Sequence, residues 1–342
     1  GKGYADKVFY FTGKTTTALA ALGAVEIMRP SIPHFRSIHI TSKEKCCTEF
    51  SARSMRKCNP KCCRKSIAFY DKINVALSEL LNEYTTYTKD VIDKVANKYD
   101  LCAYELSLEL SEWCELIVCD YNYLFDIQAY FRRYFEFESD AKYIFLIDEA
   151  HNLPDRAREM YSSTLMRSDF VSISQKYAAD KILSEPVSEV LKKFDIFYAL
   201  AMEEKQEFDG EMCGFYINSQ LPDNMTDEFE NFCKACSKFL KKNDDDELSE
   251  LYFNVKHMLS VFEIYDKRFT MYAEARGEEL KLRLLCLDPS HMLDVNMKKG
   301  ISSVLFSATL TPLDYFSDVL GCQKSNTVAL NSPFEKENLC LI

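Results

Sequence analysis

Nine residues, Tyr143-Ile144-Phe145-Leu146-Ile147-Asp148-Glu149-Ala150-His151, limit what this chain can fold into. An apolar run rich in aromatic and β-branched types ends in two carboxylates, a small residue and a histidine. The run is short and lacks polar alternation, so it reads as a strand buried on both faces. Such a strand delivers Asp148 and Glu149 to the carboxyl edge of a parallel sheet, where open α/β sheets bind ligands. An Asp in that place suits the Mg²⁺ of a bound nucleotide, and a neighbouring Glu can orient or deprotonate an attacking water. An acidic first turn of a helix is the plainer alternative. The complete Asp-Glu-Ala-His string favours the nucleotide reading.

The chain has 342 residues, room for two or three domains. Hydrophobic residues make up 47% and aromatics 13%, which indicates a globular protein. Only 9 Gly and 9 Pro argue against a loop-rich all-β fold. No apolar run is long enough for a membrane span, and the opening GKGYADKVFYFTGK lacks an apolar signal-peptide core. The absence of an initiator Met reads as a processed, trimmed or partial sequence. Net charge is −11, which alone argues against nucleic-acid binding. A local reversal stands against it: Arg53, Arg56, Lys57, Lys61, Arg64 and Lys65 occur with no acidic residue among them, a cluster able to hold phosphates.

Lys7 to Thr12 reads as a buried strand, followed by Gly13-Lys14-Thr15 and a helix through about Met28. A phosphate loop requires a glycine five residues before the Gly-Lys pair, and that position is Val8. The segment is therefore too short to cradle a triphosphate, although Lys14 and Thr15 can meet a phosphate at a helix N-terminus. Ser37 to Thr41 is a second strand, Ser66 to about Asp100 a helix, and Glu115 to Asp120 a third strand. Residues 165 to about 280 show helical patterns, no buried strand run and two acidic breaks, 207–211 and 243–247, expected to be solvated loops. Leu282–Leu287 and Ser303–Phe306 restore the buried-strand pattern, and Ser307-Ala308-Thr309 breaks into another helix. One parallel sheet, interrupted twice, is the economical architecture.

There are 14 cysteines, five of them between residues 46 and 63. Four thiolates are the usual ligand set of an iron–sulfur cluster and of structural zinc. Cys47, Cys58, Cys63 and Cys102 have the spacing C-x10-C-x4-C-x38-C, which suits a cluster better than the tight pairs of zinc sites. Cys46 and Cys62 remain alternatives to their neighbours. Cys233 and Cys236 read as a core-facing helical pair, and Trp113 as a core residue.

KVFYFTGKTTT, SIHITSKEKCC, CNPKCCRKSIAFYDKINVALSELL, CAYELSLELSEWCELIVCDYNYLFD, FLIDEAHNLPDRAREMYS, LLCLDPS and VLFSATLTPLDYFSDVLG, in this order, resemble the XPD/DinG-type superfamily 2 DNA helicases with an iron–sulfur cluster, most closely the bacterial DinG-like branch. The resemblance implies an α/β fold: a RecA-like motor domain 1, residues 1–45, 111–164 and 282–342, with an inserted cluster domain at 46–110 and a helical Arch-like insert at 165–281. It implies a [4Fe-4S] cluster on Cys47, Cys58, Cys63 and Cys102, Mg²⁺ held through water by Asp148, and Glu149 as the catalytic carboxylate. His151, Ser307 and Thr309 would couple nucleotide to DNA. Thr12, Lys14 and Thr15 would touch the DNA backbone, with Gly13 where Ala is usual, and Arg53, Arg56 and Lys57 would line the strand's path. The implied activity is ATP-driven 5′→3′ translocation on single-stranded or forked DNA, by a monomer in the bacterial cytoplasm.

Relatives carry a phosphate loop upstream of the first segment and a second motor domain with an arginine finger downstream of SPFEKENL. The 342-residue chain on its own is accordingly expected to hydrolyse ATP barely or not at all. Two other readings compete: a cluster-bearing nucleic-acid-binding module without motor activity, and a zinc-stapled structural protein.

Overall fold

The computed structural model describes residues 4–47, 63–136, 140–221 and 225–331. The strands among them are β1 (Lys7–Phe11), β2 (Ser37–His39), β3 (Thr86–Tyr87), β4 (Leu116–Cys119), β5 (Tyr143–Asp148), β6 (Ser163–Met166), β7 (Gln206–Phe208), β8 (Glu211–Asn218), β9 (Phe269–Arg276), β10 (Glu279–Cys286) and β11 (Ser302–Phe306). They form two sheets. The first is parallel, in the order β11-β5-β1-β4-β2-β3. The second is antiparallel, in the order β6-β10-β9-β8-β7.

Successive side chains of a strand point to opposite faces, so each face of the parallel sheet collects alternate residues. One face gathers Phe9, Phe11, Ile117, Tyr143, Phe145 and Ile147, all buried. Phe9 and Phe145 meet edge to face at 5.9 Å, and Phe135 and Tyr143 close around them. On the other face the helix α1 (Thr15–Met28) lays Ala18, Leu22 and Val25 on Leu116 and Val118. β5 lies beyond this helix. Tyr143, Phe145 and Ile147 are buried, but Ile144 and Leu146 are only half-buried, so burial on both faces is incomplete here.

The stretch expected as one helix from Ser66 to Asp100 is two, α3 (Phe69–Glu83) and α4 (Lys89–Lys98). Between them Tyr84-Thr85-Thr86-Tyr87-Thr88 is aromatic and β-branched throughout, a composition that favours a strand. β3 forms there, pairs with β2 and buries Tyr87 completely.

The region beyond β5 also departs from the expectation of helices alone. Alongside its helices it carries β7, β8 and β9, and Leu282–Cys286 belongs to the antiparallel sheet and not to the parallel one. The cause is periodicity. Phe269, Met271, Ala273 and Ala275 alternate with polar residues, and so do Leu280, Leu282 and Leu284. Such a sheet keeps one solvated face, so no continuous apolar run marks it. The first acidic break is the β7–β8 hairpin turn, with Asp209 and Gly210 at φ +51° and +78°, both in the left-handed region that Asp-Gly turns favour. The second contains Asp245, which caps the helix Asp246–Glu263 by accepting from the Leu248 amide at 2.7 Å. Cys236 is buried and Cys233 half-buried in the helix Asp227–Leu240. Trp113 lies on the surface with 55% exposure, at the turn leading from a helix into β4.

Candidate functional site

Because β11, β5 and β1 are adjacent and parallel, their carboxyl ends bring Ser307–Thr309, Asp148–His151 and Thr12–Thr15 into one row. Both oxygens of Asp148 are engaged. Oδ1 accepts the Glu149 amide at 2.8 Å, and Oδ2 accepts the Tyr10 hydroxyl at 2.7 Å. The Tyr121 hydroxyl donates to the backbone carbonyl of Asp148 and lies 3.3 Å from that of Glu149. Burial, followed by the hydrogen bond to Asp148 for Tyr10 and by the Asp148 charge for Tyr121, holds both tyrosines well above the ordinary tyrosine range, so both stay donors at neutral pH. Glu149 has φ +49°, a conformation that costs a non-glycine residue on the order of 1 kcal/mol and is found at functional turns. A Cβ on Gly13 would stand 3.2 Å from the Tyr121 ring, so glycine lets that ring lie close against the loop.

A second set of contacts joins β5 to β11. His151 Nδ1 lies 2.6 Å from Ser307 Oγ. Ser307 Oγ lies 3.4 Å from Glu149 Oε2, and His151 Nδ1 is likewise 3.4 Å from that oxygen. The Thr309 amide donates to Ser307 Oγ at 3.2 Å. A proton on Nδ1 satisfies this set, with the Ser307 hydroxyl accepting from His151 and donating to Glu149. A movement of Ser307 therefore reaches the carboxylate directly and through the imidazole.

The loop after β1 is divided in its roles. Thr12 is 4% exposed, and its hydroxyl bonds that of Thr17, so it locks the turn rather than facing solvent. Lys14 is exposed and its ammonium lies 3.8 Å from Glu149 Oε1. Thr15 opens α1. From here a cleft runs along the carboxyl ends of β1, β2 and β4, lined among others by Lys14, Thr15, Lys43, Lys45, Lys89 and Tyr104. The Lys43 ammonium lies 5.8 Å from the centre of the Tyr104 ring. Tyr10, Tyr121 and, of the cleft lysines, Lys43, Lys45 and Lys89 were not identified in sequence. Each lysine is unremarkable alone, and only the fold gathers them.

Among the cysteines, Cys47 follows the short helix α2 (Lys43–Cys46), Cys63 precedes a turn at Arg64–Ser66, and Cys102 precedes α5 (Ala103–Ser111). All three are partly exposed and none is in a disulfide. Arg64 pairs with Asp100 at 3.0 Å and Lys65 with Asn97 at 2.9 Å, which ties the Cys63 segment to the chain just before Cys102. The Cys46 thiol points to the Thr41 carbonyl at 3.6 Å. Among the described residues no group of three or more His, Cys, Asp or Glu side chains could hold a metal ion. Cys58, Arg53, Arg56 and Lys57 lie outside the described residues.

A parallel sheet with helices, ending in an Asp-Glu edge wired to a neighbouring strand, defines a RecA-like α/β domain. Residues 15–170 match the DEAD_2 family model. The regulator of telomere elongation helicase 1 homolog of Anopheles gambiae is 29% identical over 153 residues, 42% of this chain and 15% of its own length. Regulator of telomere elongation helicase 1 of Bos taurus is 32% identical over 130 residues, 37% of this chain and 10% of its own. The Fanconi anemia group J protein homolog of Gallus gallus is 30% identical over 109 residues, 30% of this chain and 8% of its own. The matches thus span a minor part of those relatives. A solved structure described as truncated XPD superposes with a TM-score of 0.57 at 17% identity, covering 96% of this chain and 88% of that one, a likeness of fold. Over residues 15–170 the chain is similar to the XPD/DinG-like superfamily 2 helicases.

Proposed function

We propose that this chain forms part of the first motor domain of an ATP-dependent DNA helicase, in which the Asp148–Glu149 edge is half of the ATPase site. The observation that carries this reading is the Glu149–Ser307–His151 triangle, with Ser307 Oγ 2.6 Å from His151 and 3.4 Å from Glu149. It supplies a carboxylate able to activate water and a contact that passes displacement of β11 to it. Asp148, at the sheet edge with its carboxylate oriented by two donors, fits an outer-sphere contact to Mg²⁺. A bound Mg²⁺ would neutralise charge developing on the transferred phosphoryl group. Lys14, Thr15 and the cleft lysines fit a nucleic-acid backbone. The family's 5′→3′ polarity, single-stranded or forked DNA as substrate, action as a monomer and the bacterial DinG-type branch belong to the same proposal. Among the described residues no helix is long and apolar enough to cross a membrane.

The proposal extends to a [4Fe-4S] cluster on Cys47, Cys58, Cys63 and Cys102. In its favour, the Arg64–Asp100 pair tethers two of the segments, and Cys46 is turned to the Thr41 carbonyl, which leaves Cys47 for a ligand role. No mechanistic step depends on the cluster.

One experiment tests the reading. The whole protein that carries this chain is purified anaerobically, and single-stranded-DNA-stimulated ATP hydrolysis is measured with iron and acid-labile sulfide. The expected result is stimulated turnover with about four of each per chain, while the 342-residue chain alone hydrolyses ATP at most slowly. Absence of turnover in the whole protein overturns the motor reading and favours a binding module. Zinc without sulfide overturns the cluster.

A further inference from the structure

The Tyr10–Asp148 hydrogen bond is not required to hold the sheet together. β1 and β5 are already paired along their length, Lys7 with Tyr143 through Phe11 with Ile147. The tyrosine spends its hydroxyl on one carboxylate oxygen at 2.7 Å, two residues beyond its own pairing partner Leu146. Its ring stands edge-on to Phe306 at 6.0 Å, the residue immediately before Ser307. Phe306 is itself the pairing partner of Asp148. Three of the ends that build the site, those of β1, β5 and β11, therefore meet on this side chain.

We propose that Tyr10 is a positioning residue for the metal-binding carboxylate: it fixes the rotation of Asp148 and ties that rotation to β11. The inference rests on the functional reading above, in which Asp148 meets Mg²⁺. A carboxylate at a strand end can rotate about two bonds. With Oδ1 held by the Glu149 amide, the Tyr10 hydroxyl decides whether Oδ2 stays in plane or swings. Hydrogen bonds to a charged group are stronger than neutral ones and directional, so one donor suffices to select an orientation. Tyr121, by contrast, donates to the backbone carbonyl of Asp148 and leaves the carboxylate untouched. The two tyrosines thus separate a positioning role from a structural one within a single site.

The test is Mn²⁺ binding, followed by electron paramagnetic resonance, to the whole protein with a non-hydrolysable ATP analogue, well below each variant's melting temperature. Asp148→Asn is expected to remove the bound signal. Tyr10→Phe, which keeps the ring against Phe306 and deletes one oxygen, is expected to weaken Mn²⁺ about tenfold. Tyr121→Phe is expected to lower the melting temperature and leave Mn²⁺ affinity at the wild-type value. Wild-type affinity in Tyr10→Phe, or equal weakening in both tyrosine variants, overturns the positioning role alone. A wild type that binds no Mn²⁺, or an Asp148→Asn variant that keeps the signal, removes Asp148 as the metal residue, and the functional reading falls with the proposal.

Discussion

Ser307 is the residue on which most contacts of the site converge. Its hydroxyl meets His151, Glu149 and the Thr309 amide within 3.4 Å. Its oxygen is two bonds from the backbone just after β11, so a shift of that strand end moves the hydroxyl rather than being absorbed by a long side chain. Replacing Ser307 by Ala leaves His151 Nδ1 without this partner and frees Glu149 from a donor. The expected outcome is uneven. Basal ATP hydrolysis by the whole protein falls severalfold, while stimulation by single-stranded DNA falls by about tenfold, as loss of one part-buried contact of roughly 1.5 kcal/mol implies. Steady-state rates with and without DNA check this. A proportionate fall in both would place Ser307 in the chemistry and not in the coupling.

Elements differ in how far they could be read from sequence, for definite reasons. β1, β4 and β5 were legible because a parallel sheet buries much of its inner strands and leaves short apolar runs such as Leu116–Cys119, whereas β11, read as buried from Ser303–Phe306, is an edge strand with Val304 and Phe306 exposed. The Asp148–His151 end was legible with them, since a polar string directly after such a run can only sit at the sheet edge. β8 and β9 were not legible, because their alternation resembles neither a buried strand nor a clean helix, while β10 was legible as a strand at Leu282–Leu287 but not as a member of an antiparallel sheet. Tyr10 was hidden for the opposite reason: within Lys7–Phe11 it looks like one more core aromatic, and only the register with β5 gives its hydroxyl a carboxylate. The antiparallel sheet rests on one such unannounced position. Gly214 in β8 passes so close to the preceding helix that a Cβ would lie 2.1 Å from the Ala201 carbonyl oxygen. Backbone cannot yield as a side chain can, so Gly214→Ala must push β8 from the helix Ser184–Ala201. A loss of about 2–3 kcal/mol of stability is expected, read as an earlier urea midpoint. Gly23→Ala in α1, where nothing lies within 4 Å of the added Cβ, is the matched control and should not destabilise.

At the scale of the whole molecule the difficulty is charge, since a chain of net −11 is poorly suited to attract a polyanion. The fold answers by gathering Lys14, Lys43, Lys45 and Lys89 in the cleft at the carboxyl ends of β1, β2 and β4, where they outnumber Glu44, Asp90 and Asp120. Acidic residues crowd the far sheet, with Glu203, Glu204, Glu207, Asp209 and Glu211 exposed around the β7–β8 hairpin. A strand drawn to the cleft is repelled from the hairpin, which gives direction to an encounter that net charge alone would oppose. Each lysine–phosphate contact made on binding releases condensed cations, and for single strands the slope of log K against log salt is about −0.7 per contact. Replacing both Lys43 and Lys45 by Gln should therefore reduce the magnitude of that slope by about 1.4 for an unstructured oligonucleotide. The loss should be the same for oligonucleotides of different sequence, because phosphate contacts carry no base information. Fluorescence anisotropy across a salt series measures both quantities. An unchanged slope would mean that the strand does not enter this cleft, and a loss that depends on sequence would mean that the lysines read bases.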